Sequence, residues 1–301
     1  MARLEAMLRK PDILLNHERP MIQETRRERQ SRSMVKLRFP VSIWQHRELI
    51  WRLSEREIQG RYRGSILGLS WSFVQPLTML AVYTLVFSQV FKARWGTGED
   101  LGPLAFAVNL FAGLIVFNLF SECLNRAPGL VLANPNYVKK VVFPLEVLAP
   151  VATATAGFHA LTSLLVLVIF EIAAYGRIPL SFLWLPVVWT PFLLGTLAIT
   201  WILSALGVFV RDIGQLVGVA VSMLMFLSPI FFPLSAMPAR WLPILGLNPL
   251  AHVIEETRAV TVLGHAPSMS YILAGIAVSL VACEGCYRAF QRAKPAFADV
   301  I

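Results

Sequence analysis

Cys283 and Cys286, in the run Cys283-Glu284-Gly285-Cys286, have the spacing of a redox couple or half of a metal site. The run lies in an apolar stretch with no histidine or second cysteine pair nearby, and Cys123 is the one other thiol. Four zinc ligands cannot be assembled from it. The thiols read instead as packed or lipid-facing side chains. Histidines 17, 46, 159, 252 and 265 are scattered. His159 falls inside a long apolar run and reads as a packing or helix–helix hydrogen-bonding residue, with a pathway-lining role as the alternative. Glu122, Glu171 and Glu284 would suit an ion-coupled carrier if they stood near mid-membrane. Each falls toward the end of an apolar run and reads as solvated at the interface. No Gly-Lys dipeptide occurs, which excludes a phosphate-binding P-loop, and GxSxG and HExxH are absent. The chain therefore cannot hydrolyse ATP by itself. Uphill work would need a partner or an ion gradient.

The elements around these residues are apolar and long. Of 301 residues 56% are hydrophobic and 15% charged, with mean hydropathy +0.62, more apolar and less charged than a soluble domain. Several runs exceed the ~18 uncharged residues that cross a bilayer. The expected fold is an all-α polytopic membrane protein with six spans, near 71–91, 104–122, 147–175, 180–210, 215–233 and 271–288. The third and fourth are long enough to be tilted, broken or partly outside the bilayer. No cleavable signal peptide is recognisable in residues 1–33, which are charged. Twenty-two of the 27 Lys and Arg fall before the first span, in loop 123–146, at Arg211 and in the C-terminal tail. That asymmetry places both termini in the cytoplasm.

The organisation expected is a charged N-terminal extension (1–33), an interface segment (34–66), a six-span domain (67–291) and a cytoplasmic tail (292–301). Within the interface segment, residues 42–60 read as an amphipathic helix lying on the membrane, capped by Ser42 with Gln45 three residues on. Trp44, Trp51 and Ile58 share one face, and Arg47, Arg52 and Arg56 fall on the wetter side. Trp71 marks the headgroup boundary, and Pro76 comes early enough in its span to cost little. Loop 123–146 holds Pro135, Lys139, Lys140 and Phe143 and is apolar enough to dock a short helix into a partner. Between the fifth and sixth spans, prolines 229, 233, 238, 243 and 249 break a hydrophobic stretch. Such segments suit short re-entrant helices. Glu255 and Glu256 would then lie near an exit, solvent-facing carboxylates being the plain alternative.

EIQGRYRGSILGLSWSFVQPL, NPNYVKKVVFPLEVLAP, and SPIFFPLSAMP with LNPLAHVIEETR occur in this order. Together they resemble the permease subunits of type-2 ATP-binding-cassette exporters, most of all the polysaccharide-export branch that handles O-antigen of lipopolysaccharide, capsule and teichoic acid. The resemblance covers about residues 40–292. It implies a homodimer in the bacterial inner membrane, with two separate nucleotide-binding subunits that carry ATP and Mg. It implies no cofactor in this chain and no nucleic-acid partner. Trp44, Arg47, Trp51 and Arg56 then belong to the interface helix that rides on the ATPase subunit. Asn134, Pro135, Asn136, Tyr137, Lys139, Lys140 and Phe143 match the coupling region, and Pro229, Pro233, Asn248, Pro249, Glu255 and Glu256 the outer gate. The cargo would be a lipid-linked glycan; docking of periplasmic export proteins on the outer loops stays open.

A sugar polymer needs a wide, weakly adhesive path, and aromatic rings offer flat faces to sugar C–H groups. Tyr83, Phe87 and Phe91 recur every four residues in the first span; Phe226, Phe231 and Phe232 come from the fifth. These six are the expected channel residues, with lipid-facing or packing roles as the alternative. Competing functions are ATP-driven export of a drug, peptide or lipid, an ion-coupled flippase acting alone, and a membrane scaffold.

Overall fold

A computed structural model describes residues 38–86, 102–139, 143–234, 237–238, 240, 246 and 248–301. Every element among them is helical. The principal helices are α1 (Arg38–Gln45), α2 (Arg47–Tyr62), α3 (Trp71–Leu85), α4 (Gly102–Arg126), α5 (Pro135–Val138), α6 (Leu148–Tyr175), α7 (Leu185–Phe209), α8 (Ile213–Leu227), α9 (Pro249–Arg258), α10 (Met269–Ala293) and α11 (Phe297–Val300). Among the described residues, four helical segments are long and apolar enough to cross a membrane: Leu104–Gly129, Leu145–Tyr175, Leu180–Phe209 and Met269–Val300. They correspond to the second, third, fourth and sixth expected spans. α3 and α8, in the first and fifth, have 15 described residues each. α8 stops at Leu227, where Ser228-Pro229 turns the chain out of the helix, short of the expected end at 233.

The centre is α4. It is apolar nearly all round, as befits a helix packed on every side. From Ala105 to Phe117 every residue is buried. α3, α6, α7, α8 and α9 all pack against it. α6 ends where Gly176 takes φ +67°, a left-handed cap that lets its N–H reach the Ile172 carbonyl at 2.8 Å. α7 and α10 form the tightest pair. Gly275 lets Pro191 approach so closely that a Cβ there would stand 3.2 Å from the proline ring.

A second apolar cluster gathers around Trp201, with Phe39, Tyr287, Phe290 and Phe297. It anchors the start of the interface segment. Phe39 packs edge-on to Trp201 at 6.2 Å, and its backbone N–H donates to Glu284 Oε2 at 3.2 Å. Glu284 is thus buried and paired, also accepting from Arg288 Nε at 2.5 Å, and is not solvated at an interface as the sequence suggested. The interface helix also departs from expectation. It is already helical at Arg38, so Ser42 is an interior residue and not a cap, and it breaks at His46. The His46 ring meets the Ser42 carbonyl through Nδ1 at 2.8 Å, which occupies that turn.

Candidate functional site

The end of the bundle where α2 meets α4 and α6 carries a knot of charge. α4 delivers Glu122 and Arg126 one turn apart; α6 delivers His159; α2 delivers Glu57 and Arg61. Glu122 is the shared acceptor. It takes Arg61 Nη1 at 2.8 Å, His159 Nδ1 at 2.9 Å and Arg126 Nη1 at 3.7 Å. Arg126 also pairs with Glu57. His159 therefore bridges helices, in line with its reading as a hydrogen-bonding residue. Glu122 is largely removed from solvent, with its side chain 19% exposed. Tyr62 lies edge-on to His159 at 6.4 Å. Burial raises its hydroxyl pKa, Arg61 acts the other way, and Glu122 adds to the rise.

Above this knot opens a cavity of ≈ 970 Å³ between α2, α3, α4 and α6. Its wall mixes Gln75, Asn118, Asn125 and Ser163 with Met79, Phe111 and Leu114, and Tyr83 lies on it. The volume would hold a drug-sized ligand or a few sugar rings. Deeper along α6, Glu171 is wholly buried. Neither of its oxygens has a hydrogen-bond partner among the described residues, nor has the Tyr175 hydroxyl one turn on.

The expected coupling residues meet α2 beside the knot. Asn134 precedes α5 and its Nδ2 donates to the Leu130 carbonyl at 2.9 Å. Tyr137 stacks on Phe143 at 4.1 Å with 12° between the rings, and accepts from Arg56 Nη2 at 2.8 Å. Pro135 is half-buried; Asn136 and Lys139 are exposed. A further cavity of ≈ 590 Å³ between α2, α4, α5 and α6 is lined by Arg56, Asn134 and Tyr137. Trp44 and Trp51 face away from the protein body, 70% and 73% exposed, with the Arg47 guanidinium 4.9 Å above the Trp44 ring. Phe87, Phe91 and Lys140 lie outside the described residues.

The opposite end is closed by α9 and the chain leaving α8. Asn248 caps α9 through Oδ1, which accepts from Leu250 N at 3.0 Å, and Pro249 follows at the first helical position. Arg258 is 1% exposed. Its Nε donates to the Asn109 carbonyl (2.8 Å), Nη1 to the Pro229 carbonyl (2.5 Å) and Glu255 Oε1 (3.1 Å), and Nη2 to the Ile230 carbonyl (2.7 Å). Glu256 accepts from the Ser268 N–H at 3.2 Å. Pro229 is buried, and Phe232 and Pro233 are half-buried. Phe226 is 69% exposed and stacks on Phe231 at 6.3 Å.

Residues 48–262 match the ABC-2 type transporter family. The chain belongs to that family. It is a multi-pass membrane permease whose kind does not bind ATP and works with a separate ATPase subunit. The permease is 30% identical over 269 residues to the O-antigen export system permease protein RfbA of Myxococcus xanthus, covering 88% of this chain and 100% of that one. It is 27% identical over 245 residues to the polysialic acid transport protein KpsM of Escherichia coli (79% and 92% covered). It is 23% identical over 230 residues to the capsule polysaccharide export inner-membrane protein CtrC of Neisseria meningitidis (76% and 84%). Sequence reasoning on this permease missed the shared role of Glu122, the Glu57–Arg126 pair, and the burial of Arg258. One signal was present: Gly113, mid-helix in α4, is the gap the Arg258 guanidinium fills.

Proposed function

We propose that this permease moves a lipid-linked polysaccharide of the O-antigen or capsule type across the bacterial inner membrane, driven by a partner ATPase. The observation that carries the reading is the alignment with an O-antigen export permease along that protein's whole length. The cavity beside Tyr83 supports it, since a mixed polar and aromatic wall suits sugar hydroxyls and C–H faces alike.

In this reading two copies form the passage and two ATPase subunits, which hold ATP and Mg, bind below. Segment 34–66 and Asn134–Phe143 take up the ATPase stroke. α3 and α8 supply the first and fifth of six crossings within 67–291, both termini are cytoplasmic, and 292–301 is the cytoplasmic end. Tyr83, Phe87, Phe91, Phe226, Phe231 and Phe232 line the path. Pro229, Pro233, Asn248, Pro249, Glu255 and Glu256 belong to the outer gate.

The test is deletion of the gene, followed by glycan analysis of the cell surface and of the inner-membrane lipid extract. Loss of a surface polymer with build-up of its lipid-linked form inside is the expected result. A normal surface with no build-up would redirect the assignment to export of a drug, peptide or lipid.

A further inference from the structure

Arg258 is a long-range tie among three segments. The acceptors it meets among the described residues include one on α4, two on the chain leaving α8, and one on α9 itself. The Pro229 and Ile230 carbonyls follow the last turn of α8, in a buried stretch where an unmet carbonyl is costly. The third carbonyl, that of Asn109, is inside α4. A guanidinium reaches it because the residue one turn on is Gly113; a Cβ there would stand 2.6 Å from Arg258 Nη2. A planar fork with five donors fits this set, whereas a lysine ammonium cannot span it.

α9 and the turn that follows it are also held by bonds that do not involve Arg258. Trp189 Nε1 donates to Thr257 Oγ1 at 3.1 Å, and Ser181 Oγ to the Val260 carbonyl at 2.8 Å. α4 and α9 are therefore set in the bundle whether or not Arg258 bonds to the α8 exit. α8 is not. Of its 15 residues only Val217 and Val221 are buried. Beyond its end, Arg258 and the Asn248 Nδ2 bond to Ser228 Oγ (3.0 Å) fasten it to the rest.

We propose that Arg258 is a positioning latch: it pins the exit of α8 to the α4–α9 body, and release of the Pro229 and Ile230 carbonyls is what frees α8 to move and opens the outer end of the passage. The proposal rests on the reading above that α8 lines the passage. It adds which bonds must break and which residue makes them.

The test uses the full chain with its ATPase subunit in liposomes loaded with carboxyfluorescein, without ATP. Arg258→Lys keeps the charge and loses the fork; Arg258→Met loses both. Gly113→Ala leaves the arginine in place and displaces its Nη2. Variants that insert and co-purify with the ATPase subunit at the wild-type level should leak dye roughly tenfold faster or more, the shift produced by losing a charge-assisted bond in a two-state closure. Wild-type dye retention in those variants would overturn the latch. So would failure of all three to insert, since the arginine would then serve folding alone. Leak does not depend on the cargo. A normal surface glycan after gene deletion would remove the polysaccharide reading and leave the leak result standing.

Discussion

Arg56 and Tyr137, 81 residues apart, are joined by a 2.8 Å hydrogen bond from the guanidinium to the phenol. The bond ties the interface helix α2 to the short helix α5, and Phe143 stacks on the same tyrosine. A push on either segment is thereby felt by both. Under the proposed function the two stretches would act as one lever on the ATPase face, with the charge knot of Glu122 beside it.

Removing that bond should uncouple hydrolysis from export without unfolding the protein. Arg56→Ala and Tyr137→Phe, made singly and together, should show an interaction of about 0.5–1 kcal/mol, small because the pair is exposed. The quantity to measure is polymer exported per ATP hydrolysed. Additive losses in the double variant would mean that the bond transmits nothing.

The knot itself should respond unequally to its members. Glu122→Gln leaves Arg61, Arg126 and His159 without their shared charge and should lower stability by about 1–3 kcal/mol. Arg61→Ala should cost less, since half of that side chain already faces solvent. Thermal unfolding in detergent gives the order. A larger loss for Arg61→Ala would move the centre of the knot away from Glu122.

Gly207→Ala is expected to be among the most damaging single methyl additions. The new Cβ would stand 2.2 Å from the Pro128 carbonyl oxygen and 2.6 Å from its Cα, and backbone cannot swing aside as a side chain can. Overpacking of this kind costs about 1–3 kcal/mol. The expected readout is a lower Tm and less protein in the membrane fraction; an unchanged Tm would mean that the turn after α4 yields freely.

Trp44 and Trp51 should be dispensable for folding. With both rings more than two-thirds exposed, Ala at either position should alter stability by no more than about 0.5 kcal/mol. A spin label on a cysteine placed at either site should relax faster with lipid-soluble oxygen than with a water-soluble nickel chelate, as an interfacial helix requires. The reverse preference would put this face in water.

Much of this was legible in the chain. The run 147–175 emerged as a helix at Leu148–Tyr175, because apolar length is written locally. The helix Pro249–Arg258 falls in the proline-broken stretch that read as short helices. What could not be read depends on partners far along the sequence. The burial of Arg258 was hidden, because the distant groups it bonds, at Asn109, Pro229 and Ile230, are backbone carbonyls, which carry no residue signature. Glu284 looked interfacial, because the donor it meets is the Phe39 N–H, 245 residues away. Ser42 looked like a cap, because the apolar pattern began there while the packing of Phe39 on Trp201 began earlier.

The pairing of α7 with α10 has a consequence for synthesis. About 60 residues separate the end of the one from the start of the other, so at about 5–20 residues per second α7 waits roughly 3–12 s for its mate. During that wait Trp201 lacks Tyr287, and Pro191 lacks the Gly275 surface it rests on. Substitutions that weaken α10 should therefore expose a newborn helix to membrane proteases before they touch transport at all, and the loss would appear first as fewer molecules rather than slower ones.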